Sequence, residues 1–240
     1  MTRVEIIEQL QNQILHLQGS HRQEDEQLPI GLGPIESAFP GKKFPRGAVH
    51  EFISFSPEDA SSTSAFMSVV LAELMREKGS CVWISKGRRI FPPALKLYGI
   101  DPERVLFADA WKVKDIMWTI EEALKCDALT AVVGEISELS FNDSRRLQLA
   151  VEKSRVTGFI HRQQPRSINP VACVSRWKIK TVASVLPAGM PGVGFPRWEV
   201  ELLKVRNGIP GKWLVQWSPR GLETIPEQTG RQIIYERETA

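Results

Sequence analysis

The sequence predicts an α/β fold: a mostly parallel, twisted sheet with helices on both faces and antiparallel strands at its C-terminal end. Three observations carry this expectation. Apolar runs without alternation, such as Val49 to Phe55, Ser80 to Ser85 and Ala128 to Gly134, read as strands covered on both faces. Segments of helical spacing separate them, the pattern of a parallel sheet. Past residue 170 strict alternation replaces the continuous runs, and Arg206-Asn-Gly-Ile-Pro-Gly211 has the composition of a hairpin turn.

The elements follow in order. Val4, Ile7, Leu10, Ile14 and Leu17 form one apolar stripe, so residues 3–18 read as a helix, followed by a polar linker from Gly19 to Gln27. Two uses of the stripe stay open: it covers the chain's own domain, or Ile7, Leu10, Ile14 and Leu17 bind a partner protein. Residues 28–47, punctuated by Gly31, Gly33, Pro34, Pro40, Gly41, Pro45 and Gly47 and anchored by Ile35, Phe39 and Phe44, read as a folded loop with a short helical turn. Ser56-Pro57 ends the first strand, and Ser61 to Ser64 offer N-cap oxygens to a helix with Phe66, Val69, Val70 and Leu74 inward. After the second strand, residues 91–98 read as helical, with prolines in the first turn. Arg104 to Ala108 is a third strand and Val113 to Cys126 a helix with Ile116, Met117, Ile120 and Leu124 inward. A fourth strand, a helix from Ser144 to Ser154 and a fifth strand from Val156 to Ile160 follow. Val171, Cys173, Ser175, Trp177 and Ile179 then alternate with Arg176, Lys178 and Lys180. The expected domains are an N-terminal helix at 1–19, one α/β domain at 28–220 and a polar tail at 221–240.

Composition excludes several classes. With 240 residues, 42% of them hydrophobic, the chain fills a core without staples. Cys81, Cys126 and Cys173 are odd in number and form no C-x-x-C pair, which fits a reducing cytosol and argues against a zinc site. The four histidines have no metal-ligand spacing. The N-terminus lacks an apolar signal core and no run approaches the ~20 apolar residues of a membrane span, so a cytoplasmic protein without membrane contact is expected. Of the seven tryptophans, Trp83, Trp111 and Trp118 read as core packing, whereas Trp177, Trp198, Trp213 and Trp217 fall on late strands. Two of those four on one exposed face would anchor a partner.

A strand, a turn of small residues and a helix N-terminus make the frame that holds phosphates in nucleotide enzymes. The chemistry is missing from it, because residues 54–66 contain neither Gly for close approach nor Lys for the phosphates. Charge is uneven elsewhere. Residues 145–180 carry nine Lys or Arg against one acid, Glu152, while the rest of the chain has five more acids than bases. Such a segment has the footprint of phosphate-backbone contact, although Arg145, Lys153 and Arg155 read more simply as the solvated face of a helix.

The lead-in Gly33-Pro-Ile-Glu-Ser-Ala-Phe-Pro-Gly-Lys-Lys-Phe-Pro-Arg-Gly-Ala-Val-His-Glu51 resembles the entry to the RecA/RadA ATPase core, and residues 91–107 resemble the RecA segment leading from a helix into the next strand. Several runs are similar to the ImuA family, RecA-related accessory proteins of mutagenic DNA repair. They include Trp118-Thr-Ile-Glu-Glu-Ala-Leu-Lys-Cys126, Ala131-Val-Val-Gly-Glu135, Ser144-Arg-Arg-Leu-Gln-Leu-Ala150 and Pro196-Arg-Trp-Glu-Val-Glu-Leu-Leu203. The likeness spans about residues 30–218.

The resemblance implies a RecA-like core and a partnership with an ImuB-type Y-family polymerase homologue in SOS-induced translesion synthesis. RecA and the sliding-clamp and polymerase assembly are further implied partners. It also maps a degenerate nucleotide site. Ser56, Ser61 and Ser62 stand where RecA has phosphate-loop residues, Thr63 keeps the hydroxyl, and Ser85-Lys86-Gly87 replaces the catalytic Glu. Gly134 takes the place of the metal-directing Asp, with Glu135 expected on the opposite face. The expectation is a pseudo-ATPase that is not an enzyme and uses no cofactor. The alternatives are a divergent ATPase using Ser61, Ser62 and Thr63, and a SulA-like inhibitor of cell division. In the RecA arrangement His161 to Asn169 corresponds to a DNA-facing loop, so weak DNA contact is expected through Arg162, Arg166, Arg176, Lys178 and Lys180.

Overall fold

The computed structural model describes residues 30–76, 79–87, 89–186 and 191–226. The stripe of Ile7, Leu10, Ile14 and Leu17 lies outside the described residues.

Among the described residues nine strands form one sheet in the order β3-β2-β4-β5-β1-β6-β7-β8-β9. β1 (Val49–Ser54), β2 (Cys81–Ser85), β3 (Val105–Asp109), β4 (Ala131–Ile136), β5 (Thr157–Gln163) and β6 (Ser175–Val182) pair in parallel. β7 (Arg197–Val205), β8 (Gly211–Ser218) and β9 (Gly221–Ile225) continue the sheet antiparallel. The continuous apolar runs are the central strands: every residue of β1, β2 and β4 is buried. In β6 the alternation is realised as expected, with Ser175, Trp177 and Ile179 buried and Lys180 exposed.

Helices cover both faces. α1 (Pro57–Leu74) lies on one face, where Phe66, Met67 and Leu71 join Phe52, Trp83, Phe159, Trp177 and Trp198 in one core. The Phe52 and Trp177 rings stack at 5.9 Å and Phe52 meets Phe159 at 5.7 Å. Truncating such a ring costs about 3–5 kcal/mol. α2 (Val113–Leu124) and α3 (Phe141–Ser154) cover the other face, with Ile116, Ile120, Leu124, Leu147 and Val151 on Val49, Ile84, Val132 and Ile160.

Several elements differ from the sequence reading, among them α3, which begins at Phe141 rather than Ser144 because Ser140 takes its N-cap. α1 begins at Pro57, four residues before Ser61, because Ser56 takes the N-cap and Pro57 the first helical position, where its missing N–H costs nothing. Residues 92–98 form a 3-10 rather than an α-helix, closed by Gly99 at φ 87°. β5 runs past Ile160 through His161, Arg162 and Gln163, which pair with β1 and β4. Gly221–Ile225, expected in the tail, is a strand on β8, so the domain extends beyond residue 220.

Among the tryptophans, Trp83, Trp177 and Trp198 are buried. Trp213 and Trp217 are half-buried, so no exposed pair forms on the late strands. Trp111 and Trp118, expected in the core, are exposed because they lie before α2 and on its outer side. Cys81 and Cys173 are buried and Cys126 is exposed. Among the described residues no helix is long and apolar enough to cross a membrane.

Candidate functional site

Parallel α/β sheets place ligands beyond the carboxyl ends of their strands, and there the β1–α1 junction stands where a phosphate would sit. Only Phe55 and Ser56 link strand to helix, too short a connection to wrap a phosphate. The helix end is closed by its own groups. Ser56 Oγ accepts from Asp59 N at 3.1 Å. Pro57 has no N–H to offer. Glu58 and Asp59 place two carboxylates in the first turn, where they answer the helix dipole. The Glu58 carboxyl is held below the usual range by its own backbone N–H and by Ser56. Asp59 Oδ1 accepts from Thr181 N at 3.1 Å, tying the helix end to β6.

The hydroxyls assigned to this site are spent internally. Ser61 Oγ donates to Pro57 O at 3.0 Å, and Ser62 Oγ pairs with Thr181 Oγ1 at 2.6 Å. Thr63, fully buried, donates to Asp59 O at 2.7 Å and accepts from Ser54 Oγ at 3.3 Å. An anion here would meet two carboxylates and no free amide of the first turn. Ser85, in place of the catalytic Glu, donates to Gly87 O at 3.3 Å.

Gly134 and Glu135 exchange the faces expected of them. A Cβ on Gly134 would lie 2.3 Å from Ile120 Cδ1, so this glycine faces α2 and permits close packing there. Glu135 instead points toward α1. It lines a groove of about 330 Å³ with Ser61, Ser64, Arg89, Phe91 and Gln163. Its carboxylate accepts from Trp83 Nε1 at 2.8 Å and Gln163 Nε2 at 3.1 Å. Burial raises its pKa, against the pull of the Trp83 hydrogen bond. Both oxygens are occupied, so the only carboxylate lining this groove among the described residues is a packed acceptor and not a free metal ligand. Among the described residues no group of three or more His, Cys, Asp or Glu side chains could hold a metal ion.

The expected DNA-contacting residues divide in two. Arg162 and Arg176 are structural. Arg162 is fully buried on the α2–α3 face, donating to Glu51 Oε1 at 2.9 Å, Glu138 Oε2 at 3.2 Å and Ser167 O at 3.0 Å. Arg176 pairs with the other Glu51 oxygen and donates to Asn169 O at 2.6 Å. These bonds, with Arg166 N to Glu138 Oε1 at 2.8 Å and Asn169 Nδ2 to Leu139 O at 2.8 Å, tie the 164–170 loop to the sheet. Neither guanidinium is available to a phosphate. Arg166 and Lys180 remain exposed and Lys178 half-exposed. The sequence carried no sign of this sorting, because Glu51 and Arg162 are 111 residues apart.

Comparison with known proteins adds what geometry alone does not. No family model matches the chain. Protein ImuA of Caulobacter vibrioides (strain NA1000 / CB15N) is 32% identical over 206 residues, covering 81% of this chain and 84% of that protein. Protein ImuA of the same species, strain ATCC 19089 / CIP 103742 / CB 15, matches to the same extent. The alignment is long enough to take in most of the described sheet, and with the RecA-like order of strands and helices it fixes the relationship: the chain belongs to the ImuA family.

Proposed function

We propose that the protein is a non-catalytic, RecA-like accessory factor of SOS-induced mutagenic translesion DNA synthesis. It recruits or regulates an ImuB-type Y-family polymerase homologue, with RecA and the sliding-clamp assembly as further partners, and it touches DNA weakly. The pathway and the partners come from the family. The non-catalytic part is supported by one observation above all, the self-closed N-terminus of α1, where Ser56, Glu58, Asp59 and Thr181 satisfy the groups a phosphate would use. Each charge-assisted contact to a phosphate is worth about 1.5–3 kcal/mol, so losing several lowers nucleotide affinity by decades.

Titration calorimetry with ATP and magnesium tests the reading, and the expected result is no binding heat. A micromolar Kd would replace it with the divergent-ATPase alternative. Partner recruitment is assigned to the stripe of Ile7, Leu10, Ile14 and Leu17. Capture of the polymerase homologue from damaged cells by the full chain, and its loss on deleting residues 1–19, is the expected outcome. Retention of every partner after the deletion would return that segment to the chain's own fold.

A further inference from the structure

The carboxyl ends of the parallel strands expose three aromatic rings among cations. Trp111, 72% exposed, follows β3 and lies against Gly87, where a built Cβ would be 3.7 Å from the indole. Phe91, 68% exposed, follows β2 beside Arg89, whose guanidinium donates to Gln163 Oε1 at 3.0 Å. Phe55, 44% exposed, follows β1, and Lys178 Nζ stands 5.5 Å from its ring centroid. Gln164 N donates to Ser54 O at 2.7 Å, which holds the intervening loop down beside Phe55.

Strand order sets these groups in succession along one edge of the sheet: Trp111, then Lys86, Arg89 and Phe91, then Gln163, then Phe55 with Lys178 and Lys180. Arg89, Phe91 and Gln163 stand on the α1 side of that edge and Lys178 on the other. From β3 to β1 there are four strand spacings, roughly 19 Å at ~4.8 Å each. Lys86 and Lys112 are exposed on the same rim and meet no carboxylate among the described residues. Flat rings interleaved with cations match a ligand that presents unpaired bases and a charged backbone. Duplex DNA keeps its bases stacked on one another and has no use for the rings. Glu58 and Asp109, exposed acids flanking this edge, hold the affinity down.

We propose that this rim binds single-stranded nucleic acid, with bases stacked on Phe55, Phe91 and Trp111 and phosphates on Lys86, Arg89, Lys112 and Lys178. This rests on the weak DNA contact of the reading above and moves its centre away from the tied-down 164–170 loop.

The test is anisotropy of a dye-labelled oligothymidylate titrated with the full chain at about 50 mM salt, where phosphate contacts are strong. The wild-type chain binds the single strand more tightly than a matched duplex, and binding weakens as salt rises. Phe55→Ala, Phe91→Ala and Trp111→Ala each weaken it about ten-fold, with unchanged urea midpoints because the rings are exposed. Trp118→Ala, on the outer side of α2, leaves binding as it was. If the wild-type chain binds neither strand nor duplex, the DNA contact fails together with its placement. If it binds and the triple aromatic variant binds equally well, the placement alone fails. Displacement of the oligonucleotide by poly-glutamate, with tighter binding to the polypeptide, would make the rim a site for an acidic protein segment and overturn the assignment.

Discussion

Arg162 Nη1 and Glu51 Oε1 lie 2.9 Å apart with neither side chain reaching solvent. One carboxylate on β1 thus holds two guanidiniums, Arg162 from β5 and Arg176 from β6, its neighbours on either side. Removing one partner of such a pair leaves an uncompensated buried charge. Glu51→Gln is expected to cost about 3–5 kcal/mol in urea unfolding. Replacing all three members by apolar residues, Glu51→Leu with Arg162→Met and Arg176→Met, is expected to cost less than Glu51→Gln alone. An unchanged midpoint for Glu51→Gln would show that the pair does not stabilise the sheet.

The α1 cap gives a smaller and local effect. Ser56→Ala removes the oxygen that accepts from Asp59 N, and the loss is about 1 kcal/mol. Hydrogen exchange at the Asp59 amide is expected to speed up while the amides of β4 do not change. Equal acceleration in both places would mean that the cap acts on the whole fold.

At Gly134 the space belongs to Ile120. A methyl group there meets the Ile120 side chain at 2.3 Å, and overpacking of this kind costs about 1–3 kcal/mol. Gly134→Ala is expected to lower the urea midpoint, and adding Ile120→Ala to recover part of the loss. Gly134→Asp, which supplies the residue type that the RecA resemblance implies for this position, is expected to destabilise more and to confer no magnesium binding, since the carboxylate would point at α2.

Two buried histidines set the acid limit of stability. Burial pushes the His50 pKa down to about 4 and that of His161 down to about 3. His50 Nε2 donates to Pro45 O at 2.7 Å, so its neutral Nδ1 accepts from Ser175 Oγ at 2.6 Å. In the unfolded chain both rings take a proton near pH ~6.5. Between that value and the folded pKa values the unfolded state binds more protons, so stability is full above pH ~6.5 and falls with acid. Each ring contributes a slope of about 1.4 kcal/mol per pH unit. Urea midpoints are expected to be flat above pH ~7.5 and to drop below pH ~6, with His161→Asn halving the slope. Glu135 acts in the opposite sense, since burial raises its pKa and the folded chain takes that proton first. A flat profile down to pH ~5 would contradict the histidine account.

The sheet was legible where each residue's fate follows from its own strand. The apolar runs of β1, β2 and β4 and the alternation of Trp177 and Ile179 with Lys178 and Lys180 state their burial directly. The α1 start reads four residues late, at Ser61, although Ser56-Pro57 carries both an N-cap and a first-turn signal. Long-range pairing was not legible. His161, Arg162 and Gln163 look like a loop until Glu51, Ser54 and Glu135 supply partners for them. Gly134 looks like a lost ligand until Ile120 is placed against it. Trp111 looks like core because large apolar side chains usually are, and only strand order shows that it ends at the exposed rim.

β1 lies between β5 and β6, so the earliest strand of the sheet to emerge during synthesis waits for the latest of the parallel set. About 130 residues separate the end of β1 from the end of β6, several seconds or more of translation at ~5–20 residues per second. Until β5 is made Phe52 and Ile53 have no strand beside them, and until β6 is made only the β5 flank is filled. A message stalled before codon 175 yields a polypeptide whose fully buried first strand is open on one flank.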